Sequence, residues 1–507
     1  MNRVYRWAPR IGLAAWLGAL VWYLPGAINH DTAWSLYSTG RWIDGARFYV
    51  DLVEINPPLN FYLHVPPVMF SRWTGLGLMP SFVLWTFLLV ALALLLCVHI
   101  TRQQRKSEPY IWTVLLAGSL VTSLVVPRAS FGQREHIAVV LSLPYLFGFA
   151  VRRAGGRVET SAAMLSGFLA AVGLALKPYF LLVPLMFELA GVIRARSLKA
   201  ALRPDSCVLV VSGLIYGISI PIVHPEYLGE LVPLALATYS WGFGVPLGQF
   251  LVQGSTLMLL GMLATYLVVR PRMRRPELTD PFWLAAVGFF GAYLWQMKGF
   301  PYHTGPVLAL TFIVLLPLAL RGPLVGEHGL LEPPQRLVAF LGVLVIATLF
   351  ASGGRYPSSR DTPLFQLIQR EAPNGTVAAL ATNMSFVFPL VIEADLTWAS
   401  RFPTVWPVPG VWRAFHGSGR PPTEDQRLEL VEIMDWTRRA VAEDLRDFRP
   451  DLVIVDVRPR KSVFDPLEFD WLTWAAEDSL FREVWLDYRY LELIGPVAVY
   501  QLRSGRD

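Results

Sequence analysis

Apolar runs of membrane-spanning length recur along the first 350 residues, and nothing else in the sequence constrains the fold as tightly. A helix needs about 17–25 mostly apolar residues to cross the hydrocarbon layer. Lipid offers no partner to an unpaired backbone group, so a lone segment that crosses must be helical. Eleven such spans are legible, at 11–28, 80–100, 110–126, 137–151, 161–176, 178–193, 206–223, 249–269, 281–297, 304–320 and 337–351. The pair at 161–176 and 178–193 is separated by little more than Lys177-Pro178. Because proline cannot continue the hydrogen-bond ladder, this reads as a tight hairpin, with one long kinked helix as the competing reading. Arg3, Arg6 and Arg10 precede the first run, which ends Leu24-Pro25-Gly26-Ala27-Ile28 without a small-x-small cleavage site. It reads as an uncleaved first span, not a signal peptide.

A composition of 54% hydrophobic and 16% charged residues excludes an ordinary soluble protein. Both cysteines, Cys97 and Cys207, fall inside apolar runs, which excludes a disulfide framework and a cysteine-based metal site. Lysine and arginine distribute unevenly over the loops. If the N-terminus is cytoplasmic, the inner segments carry 19 and the outer loops 7, which fixes the orientation by the positive-inside rule. The same uneven distribution argues against nucleic acid as a partner. The expectation is a multi-pass protein of the cell (inner) membrane, with residues 1–351 as the membrane domain and 29–79 as its first outer loop.

Residues 352–507 then lie outside the membrane. They lose the long apolar runs and carry 23 of the 38 acidic residues. Short β-type runs at Thr376–Ala381, Leu452–Val457 and Val497–Leu502, with a charged helical pattern over Glu424–Phe448, predict a small extracytoplasmic α/β domain. Within it, Ser400–Pro407 is an aromatic, basic and proline-rich loop, suited equally to packing on a glycan or to docking at the membrane interface.

The chemistry is expected where polar residues gather at the outer boundary, because a charge there costs several kcal/mol unless it is paired or used. The stretch Asn29–His64 holds four carboxylates, Asp31, Asp44, Asp51 and Glu54, among seven aromatic side chains. Asp44 and Arg47 read as a solvated pair, whereas Asp51 and Glu54, three apart, could share a helical face. Asp31 has a second reading as a helix N-cap. Other outer loops supply Arg134 beside Glu135, Lys177 at its hairpin, and Lys298 with Tyr302-His303. Lys177 could equally snorkel to the interface. A carboxylate can take a proton from an attacking acceptor, and cations can hold a phosphate as charge develops on it.

The span ending in His30-Asp31, followed by Tyr49-Val50-Asp51 and Glu54-Ile55-Asn56-Pro57-Pro58-Leu59, resembles the GT-C superfamily of integral membrane glycosyltransferases. The similar branch contains protein O-mannosyltransferases, lipid A aminoarabinose transferases and bacterial lipopolysaccharide sugar transferases. The resemblance implies a GT-C-like fold, a polyprenyl-phosphate sugar donor, an extracytoplasmic glycan, lipid or protein acceptor, and inversion at the anomeric carbon. It makes Asp31 and Glu54 the catalytic residues, with Asp31 as the general base and Glu54, at the acidic position before a Lys-Pro-Pro-like break, placing the substrate. Asn56 stands where that family often has lysine, so a phosphate contact there must come from elsewhere or be absent. His30, Asp51, Arg134, Lys177, Lys298, Tyr302 and His303 complete the expected substrate-binding set. A divalent cation is compatible with the outer histidines, but no ligand spacing marks one and no metal or nucleotide cofactor is expected. The competing classes are a transporter or flippase of lipid-linked saccharides and a glycan ligase or polymerase. A transporter predicts related halves and charges within spans, whereas no halves are visible, Glu188 is the one carboxylate within a span and the polar residues gather on one face.

Overall fold

The computed structural model describes residues 2–273, 275–319, 340–348, 354–417, 421–461 and 463–503. Its contacts divide the chain into two compact units. The first comprises residues 1–26, 66–218 and 245–357, and the second 27–65, 219–244 and 358–507. Loop one therefore clusters with the carboxy-terminal residues.

In the first unit, five helices are long and apolar enough to cross a membrane: Leu78–Ile100, Arg134–Arg153, Pro178–Ala195, Pro204–Val223, which runs on into the second unit, and Pro301–Ala319. Four of the other expected spans form shorter apolar helices, at Arg10–Tyr23, Pro109–Leu124, Thr160–Leu174 and Gly254–Val269. The eleven expected spans thus do not resolve into eleven full-length helices among the described residues, because several end early at proline, glycine or charged residues. The expected span 337–351 lies partly outside those residues, and 340–348 is helical. Lys177 takes extended backbone at φ −144° and ψ 136°, which separates the Thr160–Leu174 helix from the one that follows. Burial distinguishes the spans. Arg134–Arg153 is almost wholly enclosed by protein, whereas Pro204–Val223 exposes Leu214, Ile215, Ile218 and Ile222, as a lipid-facing helix should. Gly288 lets helices meet closely, since a Cβ there would lie 2.6 Å from the Val183 Cα.

The second unit holds the sheet. Strands β1 (Thr376–Leu380), β2 (Thr397–Trp398), β3 (Leu452–Asp456), β4 (Tyr488–Ile494) and β5 (Val497–Leu502) lie in the order β2-β1-β3-β5-β4. The first three are parallel and the last two antiparallel. The three expected strands and the Glu424–Phe448 helix are all present, and the helix starts with a capping box between Thr423 and Gln426. Residues 224–248, read from sequence as an outer loop, contain the helix Val232–Phe243, whose pattern is masked by flanking prolines and glycines. This helix packs on the Pro407–His416 helix through Gly410. A Cβ at Gly410 would lie 2.0 Å from the Thr238 carbonyl oxygen. Gly410→Ala is therefore expected to destabilise the chain by about 1–3 kcal/mol, seen as a lower thermal midpoint.

Candidate active site

Loop one opens with the helix His30–Ile43, capped by Asn29, whose side chain accepts the Asp31 N–H at 2.9 Å. The N-cap is thus Asn29, and Asp31 sits in the first turn, where the helix dipole favours a carboxylate. His30 Nε2 lies 3.5 Å from Asp31 Oδ1, and both side chains keep some exposure. One carboxylate of loop one is therefore reachable and sits beside an imidazole.

Glu54 is built differently. It is buried, and its carboxylate accepts from Trp34 Nε1 at 2.6 Å, from the Asn56 N–H at 3.0 Å and from Asn56 Nδ2 at 2.6 Å. The Tyr49 hydroxyl donates to the Asn56 carbonyl at 2.8 Å, and the Tyr227 hydroxyl to the Ile55 carbonyl at 3.4 Å. Tyr49 has a positive φ of 71°, a conformation that persists only when its surroundings enforce it. Residues 51–54 are not helical, so Asp51 and Glu54 do not share a helical face. Asp51 instead accepts from the Arg47 N–H at 2.8 Å and lies at the exposed rim. Asp44, expected to pair with Arg47, is the C-cap residue of the first loop-one helix. Beyond this, His224 closes the aromatic floor of the loop, its Nε2 2.5 Å from the Tyr62 hydroxyl, and burial holds its pKa below the usual histidine value.

In the first unit, three separated loops deliver the cations. Arg134 begins the Arg134–Arg153 helix, Lys177 follows Thr160–Leu174, and Lys298 follows Asp280–Gln296. All three lie close enough to His303 for their charges to act on its imidazole. Lys177 does not snorkel. It is buried, and Nζ donates to Glu135 Oε1 at 2.5 Å, to Gln296 Oε1 at 3.3 Å and to His303 Nε2 at 3.3 Å. Its ammonium lies 5.5 Å from the Tyr302 ring centroid, within cation–π range. Glu135 Oε2 and His303 Nδ1 are buried with no hydrogen-bond partner among the described residues. The cluster therefore gathers Arg134, Glu135, Lys177, Gln296, Lys298 and His303 at neighbouring helix ends. By contrast His136, adjacent to this cluster, is satisfied by the Gly132 N–H and the Ser123 carbonyl and is structural.

Arg134, Lys177, Lys298, Tyr302 and His303, chosen from sequence, thus form one cluster, while His30 with Asp31 and Glu54 with Asn56 form two settings within loop one. Gln296 and the Glu135–Lys177 pairing were missed, as was Trp34, the indole that fixes Glu54. Only the aromatic density of loop one hinted at the last.

Among the described residues, the chain thus combines helices long and apolar enough to cross a membrane, a mixed five-stranded sheet and an acidic first loop. No family model and no curated protein matches the sequence. The structure is similar to the crystal structure of ArnT from Cupriavidus metallidurans bound to undecaprenyl phosphate, with a TM-score of 0.53, 13% identity, and 99% of this chain and 98% of that chain covered. It is similar to apo ArnT from the same organism, with a TM-score of 0.52, 14% identity, and 98% of each chain covered. At that identity the likeness is one of fold.

The Glu135–Lys177 pair is buried on both sides, so removing one partner should leave an uncompensated charge. Glu135→Gln is expected to cost about 3–5 kcal/mol of stability. In Glu135→Gln combined with Lys177→Met, part of that loss should be recovered, read by thermal denaturation of the purified variants.

Proposed function

We propose that the protein is a membrane glycosyltransferase that moves a sugar from a polyprenyl-phosphate donor to an extracytoplasmic acceptor. The observation that supports this is a fold similar to that of a protein crystallised with undecaprenyl phosphate, alongside the polar cluster of Lys177, Glu135, Gln296 and His303 at helix ends.

In this reading Asp31 takes the proton from an acceptor hydroxyl or amine as its oxygen or nitrogen attacks the anomeric carbon. The bond from that carbon to the phosphate oxygen breaks with inversion, and the electron pair leaves with the polyprenyl phosphate. The phosphate gains negative charge in this step, and the cationic cluster stabilises it. Glu54 is too fully bonded to act as a base and serves to fix the Asn56 turn. An extracytoplasmic site with the N-terminus cytoplasmic follows from the loop charge asymmetry.

Asp31→Asn keeps the size and the helix start but cannot accept the proton. It should lower transfer from a radiolabelled polyprenyl-phosphate sugar by about 10²-fold or more, with thermal stability unchanged. Wild-type activity in that variant would remove Asp31 from the base role.

A further inference from the structure

Several residues of the carboxy-terminal domain bond directly to loop one within the second unit. The Val53 N–H donates to the Arg401 carbonyl at 2.7 Å, and Trp406 Nε1 donates to the Val53 carbonyl at 3.3 Å. Val53 is the residue immediately before Glu54. The Trp398 N–H donates to the Tyr37 hydroxyl at 2.7 Å, and Arg41 Nη1 donates to the Trp398 carbonyl at 3.4 Å. Phe388, fully buried, packs edge-on against both Trp34 and Trp398 with ring centroids 5.5 Å away in each case. The indole that donates to Glu54 is thus held from behind by a carboxy-terminal ring.

The clamp is itself braced. The Arg401 N–H and Nε donate to the buried Asp444 carboxylate, each at 2.8 Å, and Nη2 donates to Glu443 at 3.1 Å. Trp398 Nε1 donates to the Phe402 carbonyl at 2.9 Å, which ties β2 to the loop that follows it. Trp406 is 5% exposed and Phe402 0%, so neither ring offers a face to a glycan. The sugar-stacking reading of Ser400–Pro407 therefore fails for its two best-placed rings, and what the loop holds instead is loop one.

We infer that the carboxy-terminal domain positions the reaction loop, with Trp406 acting through Val53 and Phe388 acting through Trp34 to set the Glu54 carboxylate. The inference rests on the transferase reading above for its kinetic consequence, though not for its structural one. Trp406 and Phe388 are positioning residues, since neither touches a reacting atom. Small displacements matter here because a misplacement of about 1 Å can cost about 10²-fold in rate.

Trp406→Phe keeps a ring and deletes the N–H donor. In the full-length protein it should speed hydrogen exchange in the peptide covering residues 50–57 by about tenfold, the loss of one net hydrogen bond. With a polyprenyl-phosphate sugar it should lower kcat by about tenfold while KM for the donor stays within about twofold. Leu428→Ala, at an exposed position of the same domain, should change neither. Unchanged exchange over 50–57 would overturn the inference, as would accelerated exchange with unchanged kcat. If Trp406→Phe does not fold, Tyr37→Phe deletes the acceptor of the Trp398 N–H and is read in the same way. If the wild-type protein transfers no sugar, the transferase reading fails, and the exchange measurement alone decides the clamp.

Discussion

A lysine ammonium buried at a membrane boundary has to be matched, and the match at Lys177 organises the outer ends of the first unit. Glu135 meets it at 2.5 Å, and Gln296 and His303 take its remaining protons. These partners come from three separate stretches of chain, so the ammonium ties together the starts of the Arg134–Arg153 and Pro301–Ala319 helices and the end of Asp280–Gln296. Desolvation makes such a pair a weak source of net stability and a strong source of specificity in where the helix ends must lie. Arg134 and Lys298 lie near enough to act on His303, which widens a structural pair into the polar cluster to which the proposed function assigns the phosphate.

Loop one follows a parallel logic in the second unit. A carboxylate enclosed by protein is tolerated at Glu54 because three donors satisfy it, and those donors are fixed in turn by Tyr49, Tyr227 and the carboxy-terminal residues around Val53 and Trp34. Asp31 is the opposite case, a partly exposed acid at a helix start beside His30. Two acids in one loop therefore stand in different surroundings. The one keeps some exposure beside His30, whereas the other is enclosed and bonded to Trp34 and Asn56.

Much of this was legible in the sequence, for identifiable reasons. Hydropathy marks helices because lipid forbids alternatives, and the charged period of Glu424–Phe448 and the β-branched runs of β1, β3 and β5 are local signals. The cations at Arg134, Lys177 and Lys298 could be selected because charges at span ends are expensive, although their meeting at His303 is a tertiary fact. Other features were out of reach. Val232–Phe243 was lost because prolines and glycines interrupt its apolar pattern. The β4 and β2 strands were missed because one is a largely exposed edge and the other is two residues long. That Trp34 holds Glu54, twenty positions away, or that Val53 bonds to Arg401 and Trp406, leaves no trace in spacing. The Asn29 cap could have been found, since asparagine one residue before a helix is a local signal.

The central claim is that the cationic cluster receives a phosphate monoester as a sugar leaves it. Phosphorus NMR of the purified protein in detergent, incubated with a polyprenyl-phosphate sugar and an envelope acceptor fraction, tests it directly. The phosphodiester signal should give way to a polyprenyl phosphomonoester in step with sugar appearing on the acceptor. A phosphodiester that persists unchanged, while the same lipid moves across a bilayer reconstituted with the protein, would contradict the account and establish a transporter instead.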